Sequence, residues 1–366
     1  MRELPAGPLI EAMIIDTSCT TMRTHDFVLP SRRARLSTVS EGLRDNAAVS
    51  RATALGAAGR FGGSVTYSQR GRVLASTGPL YEQGTHLLEA MWQFEPEALS
   101  LNAYATYWLK HRYLEKAPAS QILKPIENQS RWLVYFLFIP DGQLHDHHRF
   151  TLERLKAHGD KLLIICSAQN HDTLPSELHA AADALIWKAL SGYDFSAYAL
   201  ALHAVAEYSE GADVFIMNDS VFGPFTDVSN LLSTSPWDFT GFTASDACAQ
   251  RHIQSYAFMM RDVTPQRLSP MSWIFRKHTA FSNPVAVVGC QELWMARVAA
   301  KSMTVGSLWF GRDEVVHDPS LTQGIALLET GFPFLKRSLL SKHGTFQQSS
   351  EVLAALRRMG HPEPRF

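Results

Sequence analysis

An α/β fold, with a largely parallel sheet covered by helices on both faces, is predicted by two patterns in the sequence. Continuous apolar runs of strand length recur at residues 132–139, 162–166 and 213–217, as expected of strands buried on both faces. Stretches of helical character separate them, and strand–helix alternation implies right-handed crossovers between parallel strands. Such a sheet presents its ligand at the carboxyl ends of its strands. That rule directs attention to the loops after Ile139, Cys166, Trp187 and Met217.

Along the chain, residues 1–125 lack a clean alternating pattern, and 47–63 is rich in small residues. The run 87–114 reads as two helices broken at Pro96, and 1–125 as a whole as an accessory region. After the strand at 132–139 a polar turn, Pro140–Asp141–Gly142, precedes a helix at 148–158. A strand at 162–166, a helix at 176–182 and a strand at 184–187 follow. In the helix at 195–208, Phe195, Tyr198, Leu202 and Val205 form one apolar stripe. Beyond the strand at 213–217, residues 238–243 and 254–261 read as strands, and 265–278 and 290–303 as helices. The division is then 1–125 accessory, 126–345 main domain and 346–366 a C-terminal tail with a helix at 349–359.

Hydrophobic residues make up 46% and charged residues 19%, enough for a sizeable core. A net charge of -1 supplies no basic footprint and argues against nucleic acid as a partner. The first 75 residues are locally basic, with ten arginines against six acids. There Arg32, Arg33 and Arg35 either touch anionic head groups at the inner membrane surface or form a solvated loop. Cys19, Cys166, Cys248 and Cys290 show neither zinc nor redox spacing and read as inert thiols. No apolar run approaches the ~20 residues of a membrane span. Acids at Glu11 and Asp16 do not suit a secretory signal, so a cytoplasmic location is expected.

Several common chemistries lack their motif. There is no Gly-x-Gly-x-x-Gly after the first strand, no P-loop and no Gly-x-Ser-x-Gly elbow. His145, His147 and His148 cluster without helical ligand spacing and read as a solvated loop. Five segments remain. In 214–225 (VFIMNDSVFGPF) a strand ends in Asn218, Asp219 and Ser220, whose carboxylate can hold sugar hydroxyls or a divalent cation; sheet ends also finish this way for backbone reasons alone. In 191–198 (SGYDFSAY), Gly192 permits close backbone approach, Tyr193 follows, and Asp194 either faces a ligand or caps a helix. Residues 239–256 crowd Ser245, Asp246, His252, Gln254 and Ser255 between two strands. Glu292 lies in the first turn of a helix, where a carboxylate also suits the helix dipole. Finally, 331–340 (GFPFLKRSLL) offers Lys336 and Arg337, a basic pair fit for a pyrophosphate or for solvent.

In this order the segments resemble the rhamnan synthesis protein F family of polysaccharide-building enzymes. Its "GYDFGAY", "LLNDSVFGP", "GLTDS", "HLQSYFLVF" and "GFPFIKRKLL" patterns stand here as GYDFSAY, IMNDSVFGP, GFTASDA, HIQSYAFMM and GFPFLKRSLL, over about 130–340. The family's "YE" pair corresponds to Gln291 and Glu292, with Gln in place of Tyr. The resemblance implies a GT-A-like glycosyltransferase that uses a nucleotide sugar, dTDP-L-rhamnose or a related deoxysugar donor, and a saccharide or lipid-linked saccharide acceptor. Such enzymes commonly hold Mg²⁺ or Mn²⁺ with an Asp-x-Asp pair. Here Asn218–Asp219–Ser220 supplies one carboxylate, leaving Asp219 as the candidate metal ligand.

For an inverting displacement Glu292 is the first candidate base and Asp246 the second. Gly192, Tyr193, Asp194, Asn218, Asp219, Ser220, His252, Gln254, Lys336 and Arg337 are the candidate donor-binding residues. Trp237 and Tyr256 are either sugar-stacking rings or core. The single carboxylate at 218–220 also leaves open a non-catalytic carbohydrate-binding or scaffolding protein on a transferase fold. A phosphate-ester hydrolase would need more metal carboxylates than these segments gather.

Overall fold

Ten strands form the central sheet: β1 (Leu88–Gln93), β2 (Ser120–Lys124), β3 (Arg131–Phe138), β4 (Lys161–Ser167), β5 (Ala184–Lys188), β6 (Ala212–Asn218), β7 (Phe239–Ser245), β8 (His252–Ile253), β9 (Ala257–Val263) and β10 (Val305–Gly311). The computed structural model describes residues 65–67, 73–75, 88–99, 101–245, 250–311 and 318–364, all within the unit Gly63–Phe366. Across the sheet the order is β1-β10-β7-β9-β6-β3-β4-β5-β2, with β8 paired to β7. β3, β4, β5, β6, β7 and β10 run one way and β1, β2, β8 and β9 the other. The sheet is therefore largely parallel, as expected, with antiparallel strands at both edges and at β8 and β9.

Both faces are covered because alternate residues of the central strands enter two different cores. Trp132, Val134 and Phe136 of β3 join Val214 and Ile216 of β6 under one set of helices. Leu133, Tyr135 and Leu137 join Phe215 and Met217 on the other face. Each fully buried side chain of this size contributes about 1.5–3 kcal/mol relative to exposure. Helix α1 (Leu101–Lys110) lies on the first face, as does α4 (Tyr193–Tyr208), which buries Phe195, Tyr198, Leu202 and Val205. The second is covered by α2 (Asp146–Ala157) through Leu152 and Leu155 and by α3 (Ser176–Ala181) through Leu178. A smaller apolar cluster joins Val352, Ala355 and Leu356 of the C-terminal helix Ser349–Arg358 to Phe222, Leu335 and Leu339.

The structure corrects several elements. Residues 88–93 form an edge strand rather than a helix, pairing with β10, and Trp92 is buried between exposed Met91 and Gln93, a period of two. This strand and β2, the opposite edge, both come from the stretch assigned to an accessory region. The helix expected at 265–278 stops at Pro265–Leu268, because Pro270 cannot donate to a continuing helix. The one expected at 290–303 is a π turn, Val288–Glu292, running into α5 (Leu293–Ala299). His147 and His148 are not in a solvated loop: they are buried in the first turn of α2, which His145 caps. Cys166 and Cys290 are buried free thiols, and burial pushes Cys166 up to about 12. Among the described residues no helix is long and apolar enough to cross a membrane.

Candidate functional site

From β3 the chain runs through α2, β4, α3 and β5 on one side, then returns over α4 to β6 on the other. The strand order reverses between β3 and β6, and a crevice opens outside the carboxyl ends of such a pair. Phe138 ends β3 there and Asn218 ends β6. The Asn218 carbonyl oxygen accepts from the backbone N–H of Ser220 at 3.0 Å and from its hydroxyl at 2.5 Å, which folds the tripeptide into a tight turn. Its amide nitrogen donates to Tyr198 Oη at 2.8 Å and to Asp194 Oδ2 at 3.2 Å.

Asp194 reaches this point because Gly192 caps α4 with φ +83°, a left-handed conformation that disfavours side chains. A Cβ at Gly192 would stand 2.8 Å from Ser196 Oγ. In the first turn, Asp194 Oδ1 accepts from the Phe195 N–H at 2.9 Å. Burial, reinforced by the charge of Glu292, raises its carboxyl to about 6. Tyr193 is exposed. Lys188, fully buried at the end of β5, donates to the carbonyls of Ala189 and Ser191 at 2.9 and 2.6 Å and so shapes the loop before Gly192; burial lowers it to about 8.

Glu292 closes the π turn. Its Oε2 accepts from Ser255 Oγ at 2.5 Å, its Oε1 lies 3.8 Å from His252 Nε2, and 21% of its side chain is accessible. His252 Nδ1 meets the Gln250 carbonyl at 2.9 Å. Gln254 is turned away from open space: it donates to Asp318 Oδ2 at 2.8 Å and accepts from Thr243 and Ser320. Lys336 enters from the short strand Leu335–Lys336, which pairs with Val221–Phe222 just after the Asn218 turn. Its ammonium stands 4.2 Å from the centre of the Tyr256 ring and within electrostatic reach of Asp318, Glu292 and Asp194. Burial lowers its pKa, against the pull of those carboxylates. Among the described residues its Nζ makes no hydrogen bond.

A second group surrounds Asp219. Its Oδ2 accepts from the Phe138 N–H at 3.1 Å and lies 3.7 Å from Arg337 Nη1. Arg337 also donates from Nη1 to the Asp219 carbonyl at 2.7 Å and from its backbone N–H to Ser220 at 2.9 Å. Burial raises the Asp219 carboxyl to about 6, with Arg337 opposing. His148 Nδ1 accepts from the His145 N–H at 3.2 Å; a neutral ring then carries its proton on Nε2, 3.9 Å from Asp219 Oδ2. Burial and the nearby cations hold His147 down to about 2 and His148 to about 3. Asp219 faces the Arg337 guanidinium, and among the described residues no three His, Cys, Asp or Glu side chains gather as metal ligands.

The crevice thus brings together Gly192, Asp194, Asn218, Asp219, Ser220, His252, Glu292, Lys336 and Arg337. Asp246 lies outside the described residues. Trp237 is buried against Gly306, and Tyr256 is buried with its hydroxyl 2.6 Å from Thr243 Oγ1, so neither ring is open to a sugar. Sequence reasoning missed Asp318, Tyr198 and Lys188. Asp318 precedes Pro319 and caps a short helix, which is all its local sequence conveys.

Among solved structures, the chain is similar to a 4-diphosphocytidyl-2C-methyl-D-erythritol synthase from Anaerococcus prevotii, with a TM-score of 0.33 and 10% identity, covering 56% of this chain and 96% of that one. It is also similar to a putative nucleotide-diphospho-sugar transferase from Desulfovibrio desulfuricans, with a TM-score of 0.30 and 15% identity, covering 63% and 98%. Among curated proteins, virulence protein VirA of Vibrio anguillarum is 33% identical over 135 residues, 36% of this chain and 43% of that protein. The chain therefore spans less than half the length of this relative. With the GYDFSAY, NDSVFGP and GFPFLKR segments converging on one crevice, and the model of rhamnan synthesis protein F matching residues 162–361, the chain belongs to the rhamnan synthesis protein F family.

Proposed function

We propose that the protein is a glycosyltransferase that moves a sugar from a nucleotide-sugar donor to a saccharide acceptor during synthesis of a bacterial surface polysaccharide. The observation that carries this reading is the Lys336 ammonium, held over Tyr256 among carboxylates with its three donors unspent among the described residues. Positive charge is what a departing nucleoside diphosphate requires, and Lys336 with Arg337 supplies it without a metal ion.

The reaction is a single displacement. The acceptor hydroxyl oxygen bonds to the anomeric carbon as the bond from that carbon to the diphosphate oxygen breaks, inverting the centre. Glu292 accepts the hydroxyl proton, and Ser255 and His252 orient its carboxylate. Asp194 and Asn218 hold the donor sugar or its ribose through the Gly192 loop, and Asp219 is fixed by Phe138 and Arg337. The family supports L-rhamnose as the sugar, delivered as dTDP-L-rhamnose. The donor points to the cytoplasm, and a lipid-linked acceptor would meet the enzyme at the inner membrane face.

A thermal-shift panel of nucleotide sugars tests the reading. A donor at 100 times its Kd stabilises by about 2.7 kcal/mol, which moves the midpoint by several degrees. A shift with one nucleotide sugar, followed by transfer of its sugar, is expected. Absence of a shift with every nucleotide sugar would count against it and favour a non-catalytic saccharide-binding protein.

A further inference from the structure

On the face of the sheet covered by α4, away from the crevice, α1 and α5 flank a cavity of about 530 Å³ lined by Tyr104, Tyr107, Trp108, Trp273, Trp294 and Arg297. Three of the chain's eight tryptophans stand here, a concentration that core packing does not explain, because Trp108 is 63% and Trp273 55% exposed. The rings are ordered against each other. Tyr107 lies 4.7 Å from Trp294, and Tyr107 and Trp273 are within 12° of parallel at 6.4 Å. Tyr104 meets Trp294 edge-on at 5.4 Å. Arg297 and Lys301 line the same cleft, so cationic hydrogen-bond donors stand beside the rings.

We infer that this cleft binds a saccharide chain, the part of the acceptor remote from the reacting end. A pyranose ring has a C–H face that lies flat on an aromatic ring and a rim of hydroxyls that needs donors and acceptors. Exposed tryptophan faces beside the Arg297 and Lys301 side chains that line the cleft supply both. A purely apolar occupant would leave the Arg297 and Lys301 donors at the rim unused, and a concave cleft suits a ligand better than a flat membrane surface.

The cleft and the crevice share a helix. Glu292 leads directly into α5, and Trp294 and Arg297 follow within about two turns. Two residues turn a helix by about 200°, so Trp294 projects away from Glu292. A chain bound here therefore adds affinity without touching the reacting atoms. The role as acceptor site rests on the transferase reading; saccharide binding does not.

The test is titration of the full chain with rhamnose-, glucose- and mannose-built oligosaccharides of increasing length, without donor, followed by tryptophan fluorescence and calorimetry. Trp108→Ala and Trp273→Ala remove exposed rings and should leave the fold intact, checked by an unchanged thermal midpoint. Long oligosaccharides should bind the native chain, and each variant should weaken that binding about tenfold or more, with nucleotide-sugar binding unaltered. Arg297→Gln should weaken it while leaving both rings in place. Equal oligosaccharide affinity in native and variant chains would overturn the inference, as would failure of every oligosaccharide to bind. Trp108-dependent binding to anionic vesicles without oligosaccharide binding would overturn it in favour of a membrane surface. If oligosaccharides bind through Trp108 while no nucleotide sugar binds, the cleft stands and the transferase reading falls.

Discussion

On the proposed mechanism Glu292, Lys336 and Asp194 do three separable things in the crevice. Glu292→Gln keeps the shape and the Ser255 contact but cannot take the acceptor proton. It should lower turnover by about 10²–10⁴-fold while donor affinity stays nearly constant, as single-turnover and binding assays would report; full turnover would sink the assignment. Lys336→Met removes the ammonium but retains the chain over Tyr256. Loss of charge-assisted hydrogen bonds worth ~1.5–3 kcal/mol should weaken donor binding roughly tenfold to a hundredfold, as calorimetry would show. Asp194 has its carboxyl raised from 3.8 to about 6 in the folded chain. The folded state thus holds the proton more tightly than the unfolded one, so this group's contribution to stability is full below about pH 4 and declines as pH rises through 6, by roughly 3 kcal/mol. Urea unfolding of native and Asp194→Asn chains between pH 4 and 8 should differ by that slope.

The crevice depends on elements that never touch a ligand. The helix Ser349–Arg358 packs Val352 and Leu356 against Leu335 and Leu339, on either side of Lys336 and Arg337. Leu356→Ala should cost ~2–5 kcal/mol in denaturant unfolding and loosen the strand that delivers both cations. Gly192→Ala forces a side chain into φ +83° against Ser196; a loss of ~1–3 kcal/mol and weaker donor binding are expected, read by the same two assays. Elements of this kind differ in how far a sequence reveals them. β3, β4 and β6 were legible because burial on both faces makes every position apolar. β1 alternates under the apolar residues that also suit a helix, and β10 hides among Gly306, Ser307 and Gly311. The site was legible where polar residues interrupt a buried strand, as at Asn218–Asp219–Ser220. It was not legible at Asp318, which joins Gln254 across 64 residues, nor at His148, whose neighbours give no hint that α2 buries it.

For the whole molecule, the comparison that matters is between its overall charge and its local charge. A net charge of -1 offers no long-range attraction to an anionic donor, so on the transferase reading capture falls to the few cations inside the crevice. Donor binding should therefore survive EDTA, and a thermal shift abolished by EDTA would contradict a site built on Lys336 and Arg337. The ammonium of Lys336 does not wait alone, because Asp194, Glu292 and Asp318 already act on it. A diphosphate entering that cage would bring more negative charge to the Asp194 carboxyl, which burial already pushes up to about 6. On the transferase reading binding then draws a proton from solvent, and donor affinity is expected to fall as pH climbs from 6 to 8. Calorimetry in two buffers of unlike ionisation enthalpy would count that proton directly.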